Sequence, residues 1–174
     1  VSHTRSDVVI DGRRAHLVDL PGAYSLSPSD PAERVARDYL LSGQVDAVLL
    51  VLDASTLTRG IGLALEVIEL GLPLVVAANM MDEAGSRGIV IDVPSLAARL
   101  GVPVVPTVAV RGRGVAEAAG MVMDAASAGL APPPPAYAPA LDRVVRELAA
   151  WIPSALVAAV HAPPRYVALR LLES

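Results

Sequence analysis

The sequence predicts an α/β fold in which a parallel sheet is covered by helices on both faces. Four apolar runs carry this prediction: the first ends at Asp19, and the others span residues 48–54, 72–78 and 102–107. Helical segments separate these runs, and near-continuous apolar runs are typical of strands buried on both faces. Polar residues follow each run at the same end. Because the carboxyl ends of parallel strands meet at one rim, we expect these polar groups to converge there.

Composition narrows the class of protein. At 174 residues the chain can form one α/β domain with a small appendage. No apolar run approaches the ~20 residues of a membrane-spanning helix. A net charge of −4 argues against nucleic acid as a partner, because nucleic acid demands a basic surface. The absence of Cys excludes disulfides and thiolate metal sites, and the three scattered His argue against a histidine metal site.

The first elements are predicted to be a β-hairpin at the edge of the sheet. Residues 8–10 and 13–18 flank the dipeptide Asp11-Gly12, which favours a tight antiparallel turn. Residues 1–6 are polar, and we expect them to be mobile.

The second hairpin strand is predicted to deliver Asp19 to the rim, where a Pro-Gly turn follows. A carboxylate there suits a hydrated Mg²⁺, which takes oxygen ligands and keeps its waters. Gly22 has no side chain, so its backbone N–H can approach an anion closely. The spacing is the D-x-x-G pattern of nucleotide switches, in which a loop senses a γ-phosphate. An ordinary turn is the alternative, and the motif alone does not decide between them.

Helix signals follow this stretch. Asp30 as cap, Pro31 at the first helical position and Glu33 in a capping box predict a helix that runs to about Leu41. A second helix is predicted over 55–70, with its apolar face formed by Leu57, Ile61, Leu65 and Ile68 and its end at Gly71. A third covers about 93–100 and ends at Gly101.

The remaining chain divides into a loop, a spacer and two helices. Residues 111–114 are predicted to be a flexible basic loop, solvated rather than bound to phosphate. From 125 to 137 the composition shifts to Ala, Gly and Pro, which indicates a semi-rigid polyproline spacer. An amphipathic helix is then indicated by Leu141, Val144, Val145, Leu148 and Ile152, and a short helix by residues 163–174.

Several motifs occur together in a specific order. They are residues 19–28, 35–41 (Val-Ala-Arg-Asp-Tyr-Leu-Leu), 79–84 (Asn-Met-Met-Asp-Glu-Ala), 101–107 and 164–173. With these motifs the chain resembles the cytosolic GTPase domain of the ferrous iron transport protein B family, except for a weak patch around 118–160. The resemblance implies a partial GTPase domain at 1–125, a linker at 126–137 and the start of a helical regulatory domain at 138–174.

Guanine recognition is predicted at the N-x-x-D motif. A single carboxylate, here Asp82, can accept both adjacent donors of guanine in a charge-assisted pair, which adenine cannot offer. Asn79 would hold the base edge and tie neighbouring loops together, and Met80 stands where many GTPases have Lys. Ala109 would offer its N–H to guanine O6, while Val108 replaces the Ser that the family typically has. A plain helix cap is the alternative reading of this motif.

The resemblance also implies ligands for Mg²⁺ and a slow reaction. Asp19 would hold the ion through water, and Ser2 would be the hydroxyl ligand of the first switch, with Thr4 as its rival. Position 23 is Ala rather than the Gln that orients water in many GTPases. The family does without that Gln, so slow hydrolysis of GTP to GDP is expected.

No G-x-x-x-x-G-K-[ST] phosphate loop occurs in these residues. The chain begins with Val1 and has no initiator Met, and we therefore interpret it as an incomplete piece that starts just after that loop. The predicted fold is a P-loop NTPase-like switch-GTPase sheet that lacks its first strand, phosphate loop and first helix, followed by the start of a helical domain.

The predicted function is a guanine-nucleotide switch that regulates ferrous iron transport across a membrane. The implied partners are GTP or GDP, Mg²⁺ and the membrane pore domain of the full-length protein, and the implied location is the cytoplasmic face of the membrane. As this piece alone, the GTPase is expected to be inactive. The alternative is a degenerate, non-catalytic interaction module that no longer binds nucleotide.

Overall fold

The structure is a computed structural model, and it describes residues 4–26 and 31–173. Its strands are β1 (Thr4–Ile10), β2 (Arg13–Asp19), β3 (Val48–Asp53), β4 (Leu74–Asn79) and β5 (Val104–Pro106). Its helices are α1 (Pro31–Leu40), α2 (Leu57–Glu69), α3 (Met81–Ser86), α4 (Val93–Leu100), α5 (Val115–Ala128), α6 (Pro139–Trp151), α7 (Ser154–Val160) and α8 (Pro164–Glu173). Short 3-10 turns at Ala54–Thr56 and Ala109–Arg111 follow β3 and β5. The predicted α/β class is confirmed.

The hairpin forms as predicted, but it is longer than expected. β1 and β2 pair antiparallel from Thr4 opposite Asp19 to Ile10 opposite Arg13. Asp11 and Gly12 both have positive φ, of 49° and 74°, as a tight primed turn requires. The expectation that residues 4–6 belong to a mobile end is wrong, because cross-strand hydrogen bonds to β2 hold them in β1.

The parallel sheet has the strand order β3-β4-β5, and its register places Asp53 beside Asn79. In the described residues, β2 is paired only with β1, so the strands form two separate sheets. Leu17 of β2 and Val51 of β3 are 52% and 58% exposed, although both lie in strands. The sheet is therefore interrupted between the hairpin and the parallel strands, which agrees with the expectation that one strand of the sheet is missing from these residues.

The main core lies between the parallel sheet and α2, and α4, α8 and the segment after β2 contribute to it. The buried face of α2 differs from the prediction. Leu63, Ala64, Val67 and Ile68 are its buried apolar residues, whereas Ile61 stays half-buried. The buried face differs from the predicted one because α2 also packs against residue 26 and α8. A simple helical repeat of apolar residues does not predict these additional contacts.

The helix ends agree better with the sequence. α4 ends at Gly101, whose φ of 70° is the left-handed conformation of a glycine cap. Gly71, with a φ of 69°, follows the end of α2. The predicted cap Asp30 lies outside the described residues, and so does Ser2. The capping box of Asp30 and Glu33 therefore stays a prediction, and the buried carboxylate of Glu33 also accepts the Tyr24 N–H at 3.4 Å.

The carboxyl-terminal part contains one helix that the sequence analysis missed, α7 at Ser154–Val160. The amphipathic helix is present as α6, but only Val145 of its predicted apolar face is fully buried, since α6 packs mainly against α8. Residue 125, the proposed end of the first domain, lies inside α5. No helix in the described part of the chain is long and apolar enough to cross a bilayer.

Candidate functional site

The carboxyl ends of the parallel strands form a polar rim. Asp53 and Asn79 end neighbouring strands in register, and Thr107 follows β5. The Asp53 carboxylate accepts the Ser55 N–H at 2.7 Å and the Thr56 hydroxyl at 3.1 Å, and it caps the 3-10 turn after β3. Hydrogen bonds from the Ser55 side chain and backbone lower the pKa of Asp53 below its ordinary value.

Asn79 joins the ends of β4 and β5. Its Oδ1 accepts the Thr107 hydroxyl at 3.1 Å and the Ala109 N–H at 3.0 Å. Thr107 is buried, and its N–H donates to Ala78 O at 2.8 Å. Because Oδ1 is engaged by two donors from the protein, the Nδ2 amide is the group that remains to contact a base.

Asp82 lies in the first turn of α3. Met80 leaves β4 in the left-handed conformation, with a φ of 63°, and starts the helix as its N-cap. Oδ1 of Asp82 accepts the Glu83 N–H at 3.1 Å, and Oδ2 lies 3.5 Å from Nη2 of Arg111. The carboxylate is 30% exposed, so a ligand can reach it. The Asp82 side chain is therefore held at the rim next to a cation of the following loop.

The loop after β5 is more ordered than the sequence analysis expected. Val108 is buried, and it pairs with Arg113 across the 3-10 turn Ala109–Arg111. Gly114 has a φ of 73°, and a Cβ there would lie 2.3 Å from Pro106 O. Backbone pairing and a glycine-only packing position therefore define the path of this loop, while residues 109–113 are exposed, as expected of a solvated loop.

The expected hydrogen bond from Ala109 to guanine O6 has a competitor. In the structure this N–H donates to Asn79 Oδ1. A base that used it would have to share the donor or displace Asn79. The structure nevertheless places these five residues around one rim: Asn79 ends β4, Met80 and Asp82 follow it, and Val108 and Ala109 follow β5.

The switch candidates lie at the end of β2. Asp19 is exposed, and β1 pairing places Thr4, the rival of Ser2 as a metal ligand, directly opposite it. Gly22 is also exposed and has no heavy atom within 4 Å of the place a Cβ would take. Within the described ranges, no three His, Asp or Glu side chains cluster to hold a metal ion. A single exposed carboxylate still suits Mg²⁺, which draws its other ligands from water and phosphate.

Residues 24–26, which follow the D-x-x-G stretch, are held by groups that sequence reasoning missed. Leu26 is buried, and its N–H donates to the carboxylate of Glu66 on α2. The hydroxyl of Ser25 donates to the same carboxylate at 2.9 Å. Arg59 stacks over the ring of Tyr24 at 4.8 Å. Thr107 was missed as well, although a Thr directly after the apolar run of β5 was a usable signal.

The helix-covered parallel sheet, the polar rim and the D-x-x-G segment define an α/β domain of the P-loop GTPase fold. Solved structures show the same fold. The cytosolic domain of the T. maritima FeoB iron transporter in apo form is 31% identical, with a TM-score of 0.82, and the match covers 95% of this chain and 65% of that chain. NFeoB from S. thermophilus bound to mGMPPNP is 34% identical, with a TM-score of 0.83, and the match covers 97% of this chain and 63% of that chain.

The family model described as ferrous iron transport protein B matches residues 1–122. The chain therefore belongs to the ferrous iron transport protein B family. The Fe(2+) transporter FeoB of Escherichia coli (strain K12) is 48% identical over 103 residues, which cover 57% of this chain and 13% of that protein. The Fe(2+) transporter FeoB of Salmonella typhimurium (strain LT2) is 50% identical over 103 residues, which again cover 57% of this chain and 13% of that protein. The matched part thus spans about an eighth of these curated relatives.

Proposed function

We propose that this chain is part of a guanine-nucleotide switch domain that binds GTP and GDP with Mg²⁺ and hydrolyses GTP slowly. One observation carries the proposal most strongly. Asn79 Oδ1 joins Thr107 and Ala109, and this network places the loop after β5 beside the accessible carboxylate of Asp82. Relatives of this fold have been solved with GMPPNP and with GDP, which supports a guanine nucleotide as the ligand.

In this proposal each site residue has one task. Asp82 accepts N1–H and the 2-amino group of guanine, while Asn79 Nδ2 and the Met80 stem contact the base. The loop of Val108 and Ala109 covers the O6 edge of the base. At the other end of the nucleotide, Asp19 holds the hydrated Mg²⁺ and the Gly22 amide senses the γ-phosphate.

Two further parts of the proposal concern the metal and the reaction. Ser2, or Thr4 opposite Asp19, would supply the hydroxyl ligand to Mg²⁺. Ala23 offers no side chain that could orient water, so hydrolysis is slow. At the scale of the whole protein, we propose a transporter of ferrous iron in which this domain, at the cytoplasmic face of the membrane, regulates a pore domain. The division into a GTPase part (1–125), linker (126–137) and helical part (138–174) belongs to the same proposal.

A second candidate is a docking module of the same fold that no longer binds nucleotide. The observation in its favour is that the Ala109 N–H, a predicted contact of the base, already donates to Asn79 Oδ1 within the protein. Titration of the full-length protein with fluorescently labelled GDP and ADP separates the two candidates. The switch proposal expects saturable binding of GDP with a clear preference over ADP. Binding of neither nucleotide would favour the docking module, and equal binding of the two would contradict the proposed guanine selectivity.

A further inference from the structure

The segment 24–26, which we call the switch anchor, is fastened to two helices by carboxylates. Glu66 of α2 accepts the Leu26 N–H, and it also accepts the Ser25 hydroxyl at 2.9 Å (Oε1) and 3.3 Å (Oε2). Glu33 of α1 accepts the Tyr24 N–H at 3.4 Å. The Leu26 side chain is 1% exposed and packs in the main core. These contacts therefore hold the switch anchor in a defined position against α1 and α2.

The position of the switch anchor limits the reach of Gly22. Asp19 is held in β2, and Leu26 is held by its hydrogen bond to α2. Gly22 lies between them, three residues after Asp19 and four residues before Leu26. A chain extends at most ~3.3–3.6 Å per residue, so Gly22 stays within about 14 Å of Leu26. The exposed glycine can still move, but the position of the anchor decides where its amide can go.

The same carboxylate also faces the carboxyl-terminal helix. Nη1 of Arg170 on α8 lies 4.0 Å from Oε2 of Glu66, the oxygen that accepts the Leu26 N–H. The guanidinium lies over the ring of buried Tyr166 at 5.5 Å, and its other end pairs with Glu173 at 2.8 Å. The Glu66 and Arg170 side chains are 21% and 25% exposed, so water screens this pair only in part. A shift of α8 would therefore change the charge next to the anchor.

We propose that Glu66 is a positioning residue of the switch, which holds the anchor so that the Gly22 amide can meet a γ-phosphate, and that Arg170 makes this hold depend on α8. The inference rests on the proposed function, because the group that Glu66 positions is the Gly22 amide, the proposed sensor of the γ-phosphate. GDP has no γ-phosphate and does not engage Gly22. Loss of the anchor should therefore weaken the binding of a GTP analogue and spare the binding of GDP.

The test compares variants of the full-length protein. Glu66→Ala should weaken GMPPNP binding at least about tenfold, the loss of one charge-assisted contact, while GDP affinity changes less than about twofold. Ser25→Ala removes one donor without removing the carboxylate. It should shift the ratio of GMPPNP affinity to GDP affinity in the same direction as Glu66→Ala, but by less. Glu66→Gln keeps one acceptor oxygen and should restore part of the loss. Arg170→Gln should also shift the ratio, and an unchanged ratio would overturn the role of α8.

Glu69→Gln is the matched control, because Glu69 lies one turn further along α2 and pairs with Arg165 of α8 but not with the anchor. It should leave the GMPPNP-to-GDP ratio unchanged, whatever it does to stability. An equal loss of both nucleotides in the Glu66 variants, or the same ratio shift in the control, would overturn the proposal.

Hydrogen exchange gives a readout that needs no nucleotide. The Leu26 N–H donates to Glu66, so its exchange should accelerate in Glu66→Ala and stay slow in Glu69→Gln. Should the wild-type protein bind neither nucleotide, the proposed function fails, and this measurement decides the role of Glu66 by itself. Unchanged protection of Leu26 in Glu66→Ala would then refute it.

Discussion

Arg165 of α8 donates its Nε–H to both carboxylate oxygens of Glu69 on α2, at 3.1 and 3.0 Å. Its Nη2 donates to Asp142 of α6 at 3.0 Å and to Pro135 O at 2.9 Å. The guanidinium also lies over the Tyr137 ring at 5.3 Å. Burial, with the nearby charge of Glu69 and a hydrogen bond to it, raises the pKa of Tyr137 to about 12. One side chain thus joins α2, the proline-rich segment and α6.

Replacement of this arginine should cost stability. Arg165→Met leaves the Glu69 carboxylate, which is 2% exposed, without its charge partner, and we expect the free energy of unfolding to fall by about 3 kcal/mol. Chemical denaturation measures the change. The double variant Arg165→Met with Glu69→Gln is the control, and it should recover part of the loss because no buried charge is left unpaired. A single variant within ~0.5 kcal/mol of wild type would refute this account.

A pair of glycines tests the ordered loop after β5. Gly114→Ala forces a Cβ against Pro106 O at 2.3 Å in a residue with a φ of 73°, so we expect a loss of about 2–3 kcal/mol. Gly112→Ala is the matched control: its φ of 67° is similar, but no atom lies within 4 Å, so only about 1 kcal/mol of backbone strain is expected. Thermal melts of the two variants should differ accordingly. Equal melting temperatures would show that the close contact is relieved at little cost.

Base selectivity tests the role of Asp82. In the chain extended at its amino end with the first strand, phosphate loop and first helix of a relative, Asp82→Asn should weaken GTP and favour XTP, because xanthine reverses one donor. A good bidentate contact is worth about 1–3 kcal/mol of discrimination between bases. Competition binding with both nucleotides measures the preference. If the GTP-to-XTP ratio does not move, Asp82 does not read the base.

Gly22→Ala tests the switch in the same extended chain. Since no atom lies within 4 Å of the added Cβ and the φ of Gly22 is not positive, the fold should tolerate the change. A methyl group at this position should hinder the approach of the amide to the γ-phosphate, so GTP affinity falls while GDP affinity is kept. Binding of GMPPNP and GDP measures the two. Equal loss of both would mean that Gly22 is only a structural turn.

The break between β2 and β3 leads to a prediction for the 174 residues alone. Within the described ranges, one edge of β2 and one edge of β3 have no strand partner, and Leu17 and Val51 are exposed. Apolar side chains left exposed there forfeit their burial, which is worth about 1.5–3 kcal/mol for each Leu or Val, against a total stability of only ~5–15 kcal/mol. We expect the isolated chain to melt without cooperativity and to aggregate through its open edges. The amino-terminal extension should restore a cooperative melt and GTP binding together. A sharp thermal transition with submicromolar GTP binding in the 174 residues alone would contradict this.

The sequence alone determined the features that depend on neighbouring residues. The Asp11-Gly12 turn, the helix end at Gly101 and the order of the strands follow from local backbone preference and apolar period. The family resemblance was equally readable, because its motifs are short runs of residues. The rim position of Asn79 and Asp82 followed from the rule that parallel strands end together.

Only the tertiary structure decided which distant residues meet. Glu66 and Leu26 are 40 positions apart, and Arg165 and Glu69 are 96 apart, so no local pattern relates them. The buried face of α2 was misplaced for the same reason, since two further segments pack on that helix. From the sequence alone, a charged side chain on a helix is expected to face solvent, because the donor that contacts it in the fold comes from a distant part of the chain. The contacts that fasten the proposed switch therefore arise from packing between segments that are far apart in the chain.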